Sequence, residues 1–389
     1  MKLQSVIIIF RKKAGGSMLV SFGLIIKYVL TFLIALILTP IFKIISVQTG
    51  LVDNPNARRM NQVPMPSAGG LPIFITFAIS SLVLFRGVIP FGYISKILLG
   101  GLVIVITGLL DDKFELTPRK KSLGILIAAL IIYYFAGIRF DFFTAPLLGR
   151  INLEWLSLPV TVFWIFGITN AVNLIDGLDG LASGVSIIGL TTIGVIGYFF
   201  LHSSQVFISL AIFCLVASIL GFFPYNFHPA KIYLGDTGAL FLGFMIAVLT
   251  LQGLKNVTFI SLITPLIILG VPVTDTFFAM VRRKAKNMPI SVADKQHLHH
   301  RLLNLGFTHR GAVLTIYGIA ILFSFVALLL NYTSRLGTIV LIAAMVFAFA
   351  FLLELIGLIS EKYSFITKSF RFFGNKEYRS QVLHKYFKK

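Results

Sequence analysis

Five polar islands interrupt an otherwise apolar chain, and each carries side chains able to handle charge: Asp53; Asp111 with Asp112; Asp176 with Asp179; Asp236; and His297 to Arg301. Asp53, Asp112, Asp176, Asp236 and His297 follow one another at intervals of 59, 64, 60 and 61 residues. Each interval holds two apolar runs and their connections, so every round trip across a membrane returns the chain to the same face. The islands are therefore expected to meet.

Taken singly, each island also has an ordinary reading. The central one, NAVNLIDGLDGLA from Asn170 to Ala182, sets Asn170, Asn173, Asp176 and Asp179 among glycines at the edge of apolar spans. Polar groups there are costly unless paired or bound to something. The adjacent carboxylates Asp111 and Asp112 repel, a cost that a cation or a substrate proton between them would offset. Asp236, in YNFHPAKIYLGDTGAL, lies where the next helix should begin, a place whose free N–H groups favour phosphate, although an Asp there also serves as a simple N-cap. On a helix His297, His300 and Arg301 would share a face, with His299 beside it. A zinc site for this HxHH run is disfavoured by the neighbouring cations and the lack of cysteine, whereas a clamp for a polyanion fits its many donors. The first island, Gly50 to Gly70, combines turn formers with Asp53, Asn56 and Arg58 and reads as an ordered loop.

The elements that position these residues are membrane helices. Of 389 residues 57% are hydrophobic and 12% charged, with a mean hydropathy of +0.93. Eleven apolar runs can cross the bilayer, at roughly 20–44, 71–86, 92–110, 121–138, 155–171, 181–202, 205–224, 238–252, 257–280, 312–331 and 336–358. Long unbroken runs call for helices, so the expected fold is all-α and polytopic, with the site built from inter-helix loops. The net charge of +20 is concentrated in the motif loops and in the tail after Leu358. The positive-inside rule accounts for it, puts the motif face in the cytoplasm and the tail on anionic lipid, and removes the case for nucleic acid. Cys214 lies inside a span and supports no disulfide framework. The basic residues Arg11, Lys12 and Lys13 would fall on the wrong side of an eleven-span chain, so residues 1–17 are expected to be a non-native extension before a true start at Met18.

Clustered carboxylates beside an Arg/His group suit Mg²⁺ together with a polyphosphate, and a membrane setting makes one reactant a lipid. The residues thus point to transfer between a nucleotide-linked phosphate and a lipid carrier. A transporter would instead carry its ionisable groups near mid-span.

The motifs NAVNLIDGLDGLA, GLLDD, IYLGDTGALFLG, DNPNARR and ADKQHLHHRLLNLGFTHR resemble those of the polyprenyl-phosphate N-acetylhexosamine-1-phosphate transferases, in that family's order, over about Val20 to Leu358. The resemblance implies a bacterial cytoplasmic-membrane enzyme of residues 18–360 with a basic tail at 361–389. It implies attack of undecaprenyl phosphate on UDP-N-acetylglucosamine, with UMP released, as the first membrane step toward an envelope glycopolymer such as teichoic acid. It further implies Mg²⁺, with Mn²⁺ as a substitute, held by Asp236, and a homodimer, although no small-residue face marks an interface. By position, Asp111 and Asp112 would serve the carrier phosphate. Asn170, Asn173, Asp176, Asp179 and Tyr233 would line the nucleotide site, and Asn226 would lie near the diphosphate. His297, His299, His300 and Arg301 would hold the diphosphate and sugar, with Asp53, Asn56 and Arg58 at the rim. Arg301 stands where the phospho-muramoyl-pentapeptide branch carries an acidic residue, which makes that branch the runner-up. Asn61 and Ser67 depart from the His and Arg common in relatives, and weaken the first loop's role.

Overall fold

In hydrocarbon a backbone N–H must find its partner within its own segment, and the long apolar runs accordingly fold as helices. The computed structural model describes residues 7–11, 17–54, 63–145, 149–200, 205–253, 259–285, 287, 297–330, isolated positions between 337 and 348, and 372–387. Asn56, Arg58, Asn61 and nearly all of the run at 336–358 lie outside the described residues.

The helices are α1 (Phe22–Thr49), α2 (Gly70–Ile79), α3 (Phe91–Phe114), α4 (Pro118–Ile131), α5 (Ser157–Ile175), α6 (Leu181–Phe200), α7 (Val206–Asn226), α8 (Gly235–Gly253), α9 (Phe259–Ile268), α10 (Gly270–Ala285), α11 (Leu298–Asn304), α12 (His309–Leu330) and α13 (Lys376–Phe387). Single π-turns extend α2 through Leu84 and α4 through Ala136. Three short antiparallel hairpins complete the described residues: Ile7–Arg11 with Ser17–Ser21, Val52–Asp53 with Met65–Pro66, and Phe142–Ala145 with Gly149–Asn152. The first pairs across Met18.

Among the described residues six helical segments are long and apolar enough to cross a membrane: Phe22–Thr49, Phe91–Phe114, Glu154–Ile175, Leu181–Phe199, Val206–Asn226 and His309–Leu330. The protein is an all-α, multi-pass membrane protein. Gly70–Leu84 and Gly235–Leu251 are shorter apolar helices, and the run at 257–280 is, where described, two helices rather than one. Pro265 and Pro272 lack N–H groups, and the chain turns at Leu269 between them before α10 begins.

Burial identifies α8 as the central column. From Leu240 to Leu249 each of its described apolar side chains is fully buried, whereas α1 leaves Ile37 and Ile44 about 60% exposed (62% and 59%) on its outer side. A helix apolar all round belongs inside a bundle, and α2, α3, α5, α6 and α7 pack around this one. Glycines set the approach. A Cβ on Gly108 of α3 would come within 2.4 Å of the Thr237 Cα, and one on Gly70 would meet Gly238 backbone at the same distance. Small residues at helix contacts permit such approach where hydrophobic burial alone does not draw helices together. The result is that α3, α5 and α7 end, and α4, α6, α8 and α12 begin, around one cleft.

Candidate active site

The cleft has a volume of about 580 Å³ and is lined at one end by Asp112, Asn173, Asp176 and Asp236, and at the other by Asp179, His228, His299, His300 and His309. The carboxylate end is built by α3, α4, α5 and α8. Asp111, on the last turn of α3, accepts from the Lys121 Nζ at 2.7 Å with one oxygen and from the Leu116 N–H at 2.8 Å with the other. The same ammonium contacts Asp236 Oδ1 at 2.5 Å, and Asn173 donates to that oxygen. Lys121 thus bridges two carboxylates 125 residues apart in sequence.

Asp112 has a different task. It accepts from the backbone N–H groups of Asp236 (2.8 Å) and Thr237 (3.0 Å), from the Thr237 hydroxyl and from Ser67. It caps α8 from another helix, taking up N–H groups that have no partner inside their own helix. Gly235, at φ +69°, makes the turn: an added Cβ would meet Ser67 Oγ and both Asp112 oxygens within 3 Å.

Asp176 follows the last residue of α5. Among the described residues its carboxylate has no hydrogen-bond partner. Water reaches it from the cleft, yet protein crowds its other sides. Burial, reinforced by the charges of Asp236, Asp112 and Asp179 and opposed by Lys121, holds its pKa well above the ordinary carboxylate value. Among the described residues Lys121 contacts two of the four aspartates, Asp111 and Asp236. Asp176 and Asp236, which line the cleft, offer oxygen donors alone, the donor chemistry that suits Mg²⁺.

At the histidine end each aspartate has an imidazole of its own. Asp179 Oδ2 lies 2.8 Å from His228 Nδ1 and accepts from the Ala230 N–H at 3.1 Å, while the Asp179 N–H donates to His309 Nε2 at 3.0 Å. Asp275 of α10, almost fully buried, binds His297 Nδ1 at 2.9 Å and caps α11 through the Leu298 N–H at 3.0 Å. His299 sits against Gly177, where a Cβ would lie 2.3 Å from its Nε2. Burial first, then the neighbouring His300, His297 and His309, lowers its pKa to about 3, so it is neutral at pH 7. Tyr233 lines the cleft between the ends; burial and then Asp179 raise its pKa. Its backbone zips to the first loop, donating to the Pro66 carbonyl (2.8 Å) and accepting from Gly69 (3.0 Å), and the Asp53–Met65 pairing brings Asp53 to the rim.

Among the described residues, four expected site residues, Asp111, Asn170, His297 and Arg301, do not line the cleft, whereas Asn226 does. The Asn170 carboxamide donates to the Phe166 carbonyl at 2.8 Å, and the residue does not line the cleft. Asn226 does line it, but its amide is engaged by Ser183 (2.7 Å) and the Ile232 carbonyl (3.1 Å), latching the loop before α8. Arg301 is half-buried on α11 and is not among the cleft-lining side chains. Lys121, His228, His309 and Asp275 were not singled out as site residues by sequence. The signal available was weak: a Lys opening a span reads as topogenic, and His228 is one histidine in a loop.

The sequence profile described as Glycosyl transferase family 4 matches residues 94–254. The chain is similar to the probable undecaprenyl-phosphate N-acetylglucosaminyl 1-phosphate transferase of Bacillus subtilis (strain 168), 43% identical over 350 residues, which are 90% of this chain and 96% of that protein. It is also similar to the decaprenyl-phosphate N-acetylglucosaminephosphotransferase of Mycolicibacterium smegmatis, 33% identical over 71% of this chain and 74% of that one. A third relative is the undecaprenyl-phosphate alpha-N-acetylglucosaminyl 1-phosphate transferase of Salmonella typhi, 29% identical over 70% of this chain and 74% of that protein.

Proposed function

Because the chain belongs to glycosyl transferase family 4, the polyprenyl-phosphate N-acetylhexosamine-1-phosphate transferases, we propose that it transfers N-acetylglucosamine-1-phosphate from UDP-N-acetylglucosamine to undecaprenyl phosphate. The observation that carries this reading is the 43% identity, over 90% of the chain, with a relative named for that activity. The same observation favours it over phospho-muramoyl-pentapeptide transfer.

In the reaction a lipid phosphate oxygen attacks the β-phosphorus of the nucleotide sugar, the bond from that phosphorus to the bridging oxygen breaks, and UMP leaves with the electron pair. A phosphate monoester has a second pKa near 6, so the attacking oxygen is largely ionised at pH 7 and needs no strong base. Asp111 has both oxygens engaged, by Lys121 and by the Leu116 N–H, which suits holding and orienting better than nucleophilic attack. This supports direct in-line transfer rather than an aspartyl intermediate. Lys121 would offset the negative charge that builds as two phosphates approach, and Asn173 would keep Asp236 in place. Asp112 acts through α8 by fixing its N-terminal turn, so it is a positioning residue.

Asp236 would hold Mg²⁺, or Mn²⁺ in its place, with Asp176 beside it in the cleft. When bound, the ion supplies positive charge to the diphosphate oxygens. The basic loops on this face favour a cytoplasmic active site, where a nucleotide sugar would reach it. The test is UMP release by detergent-solubilised protein given UDP-N-acetylglucosamine and undecaprenyl phosphate. Release that needs lipid and stops in EDTA is expected; release only with the muramoyl-pentapeptide nucleotide would promote the runner-up.

A further inference from the structure

The histidine end brings together three groups with ligand chemistry from three separate elements: Asp179 between α5 and α6, His228 between α7 and α8, and His309 opening α12. One ligand atom from each lies within 4.8 Å of the others. His228 Nδ1 is 2.8 Å and His309 Nε2 4.0 Å from Asp179 Oδ2, and the two rings stack at 4.1 Å with 18° between their planes. We propose that Asp179, His228 and His309 form a second divalent-cation site, selective for a first-row transition ion over Mg²⁺.

The donor set decides the selectivity. Two imidazoles and one carboxylate favour ions such as Co²⁺ or Zn²⁺, whereas Mg²⁺ prefers oxygen donors and keeps its water. Both nitrogens are at present used within the cluster, with Asp179 Oδ2 and with the Asp179 N–H. An entering ion takes over these contacts. Binding requires His228 to present a lone pair at Nδ1. Outer contacts that would orient the ligands exist already: the Ala230 N–H on Asp179, and the Arg310 Nε–H donating to the His228 carbonyl at 3.2 Å. All three residues line the cleft, so an ion held by three protein ligands keeps positions open toward whatever occupies it.

The test uses full-length, tag-free, metal-stripped protein with Co²⁺ as the probe and Mg²⁺ in large excess, read by visible absorption and equilibrium dialysis. One Co²⁺ per chain is expected, bound about tenfold or more weakly in His228→Gln and, independently, in His309→Gln. Asp236→Asn and His300→Gln should leave that affinity unchanged. Metal-free thermal unfolding shows that each variant is folded, and agreement between the two histidine variants keeps the test decisive if one is not. Wild-type affinity in the folded histidine variants, loss of binding in Asp236→Asn or His300→Gln, or no Co²⁺ beyond background would each overturn the site. No nucleotide or lipid is present, so failure here leaves the transferase assay untouched.

Discussion

The two ends of the cleft are made from similar parts, helix termini carrying aspartates, but their charges are balanced differently. At the carboxylate end, among the described residues, Asp111 and Asp236 share one ammonium, that of Lys121, Asp112 is taken up by the N-terminus of α8, and the Asp176 carboxylate has no hydrogen-bond partner. At the histidine end Asp179 and Asp275 each have their own imidazole, from His228 and His297. Surplus negative charge in a crowded site is costly until a cation or substrate arrives. A carboxylate hydrogen-bonded to its own imidazole holds geometry instead. We therefore propose that the first end carries the chemistry and the second places the nucleotide and sugar.

The largest expected effect is at Asp236. Asp236→Asn keeps the shape and removes the charge, and should lower kcat about 10³-fold at any Mg²⁺ concentration, measured as UMP release. Lys121→Met comes next. It leaves Asp111 and Asp236 facing each other without their common cation, so kcat should fall roughly 10²-fold, and near-normal turnover would remove the lysine from the chemistry. Asp179→Asn belongs to the other end and should raise the KM for UDP-N-acetylglucosamine about tenfold, worth ~1.4 kcal/mol, with kcat nearly kept.

The smallest effect concerns pH. His299 is buried neutral, with a pKa lowered to about 3, whereas an unfolded histidine titrates near 6.5. Between those values the unfolded chain binds the extra proton, so this residue's contribution to stability is lost as pH falls through that window. His299→Gln should flatten the acid limb of thermal stability by at most about 1.4 kcal/mol per pH unit. An unchanged acid limb would show that His299 is not held neutral by burial.

Much of this arrangement was legible in the sequence. The spacing of Asp53, Asp112, Asp176 and Asp236 foretold one shared face, because a whole number of membrane round trips fixes the side on which a residue emerges. What spacing does not encode is which way a side chain turns on arrival. Asn170 and Asn173 sit one turn apart on α5, yet only Asn173 reaches Asp236; Asn170 lies about 5 Å farther from the helix end and bonds back to Phe166. Asp112 reads like Asp111 in sequence, but its place opposite the N-terminus of α8 makes it a cap. The role of Lys121 depends on a contact spanning 115 residues, which no local pattern reveals. The break between α9 and α10 was readable in Pro265 and Pro272, though the continuous hydropathy of the run concealed it.

The most direct measurement compares Asp236→Asn and His228→Gln side by side under the same lipid and Mg²⁺ conditions, resolving kcat from the KM for UDP-N-acetylglucosamine. A collapse of kcat in the first and a raised KM with kcat retained in the second are the predicted results. The reverse pattern, or equal losses of kcat in both, would contradict the division of the cleft into a reacting end and a holding end.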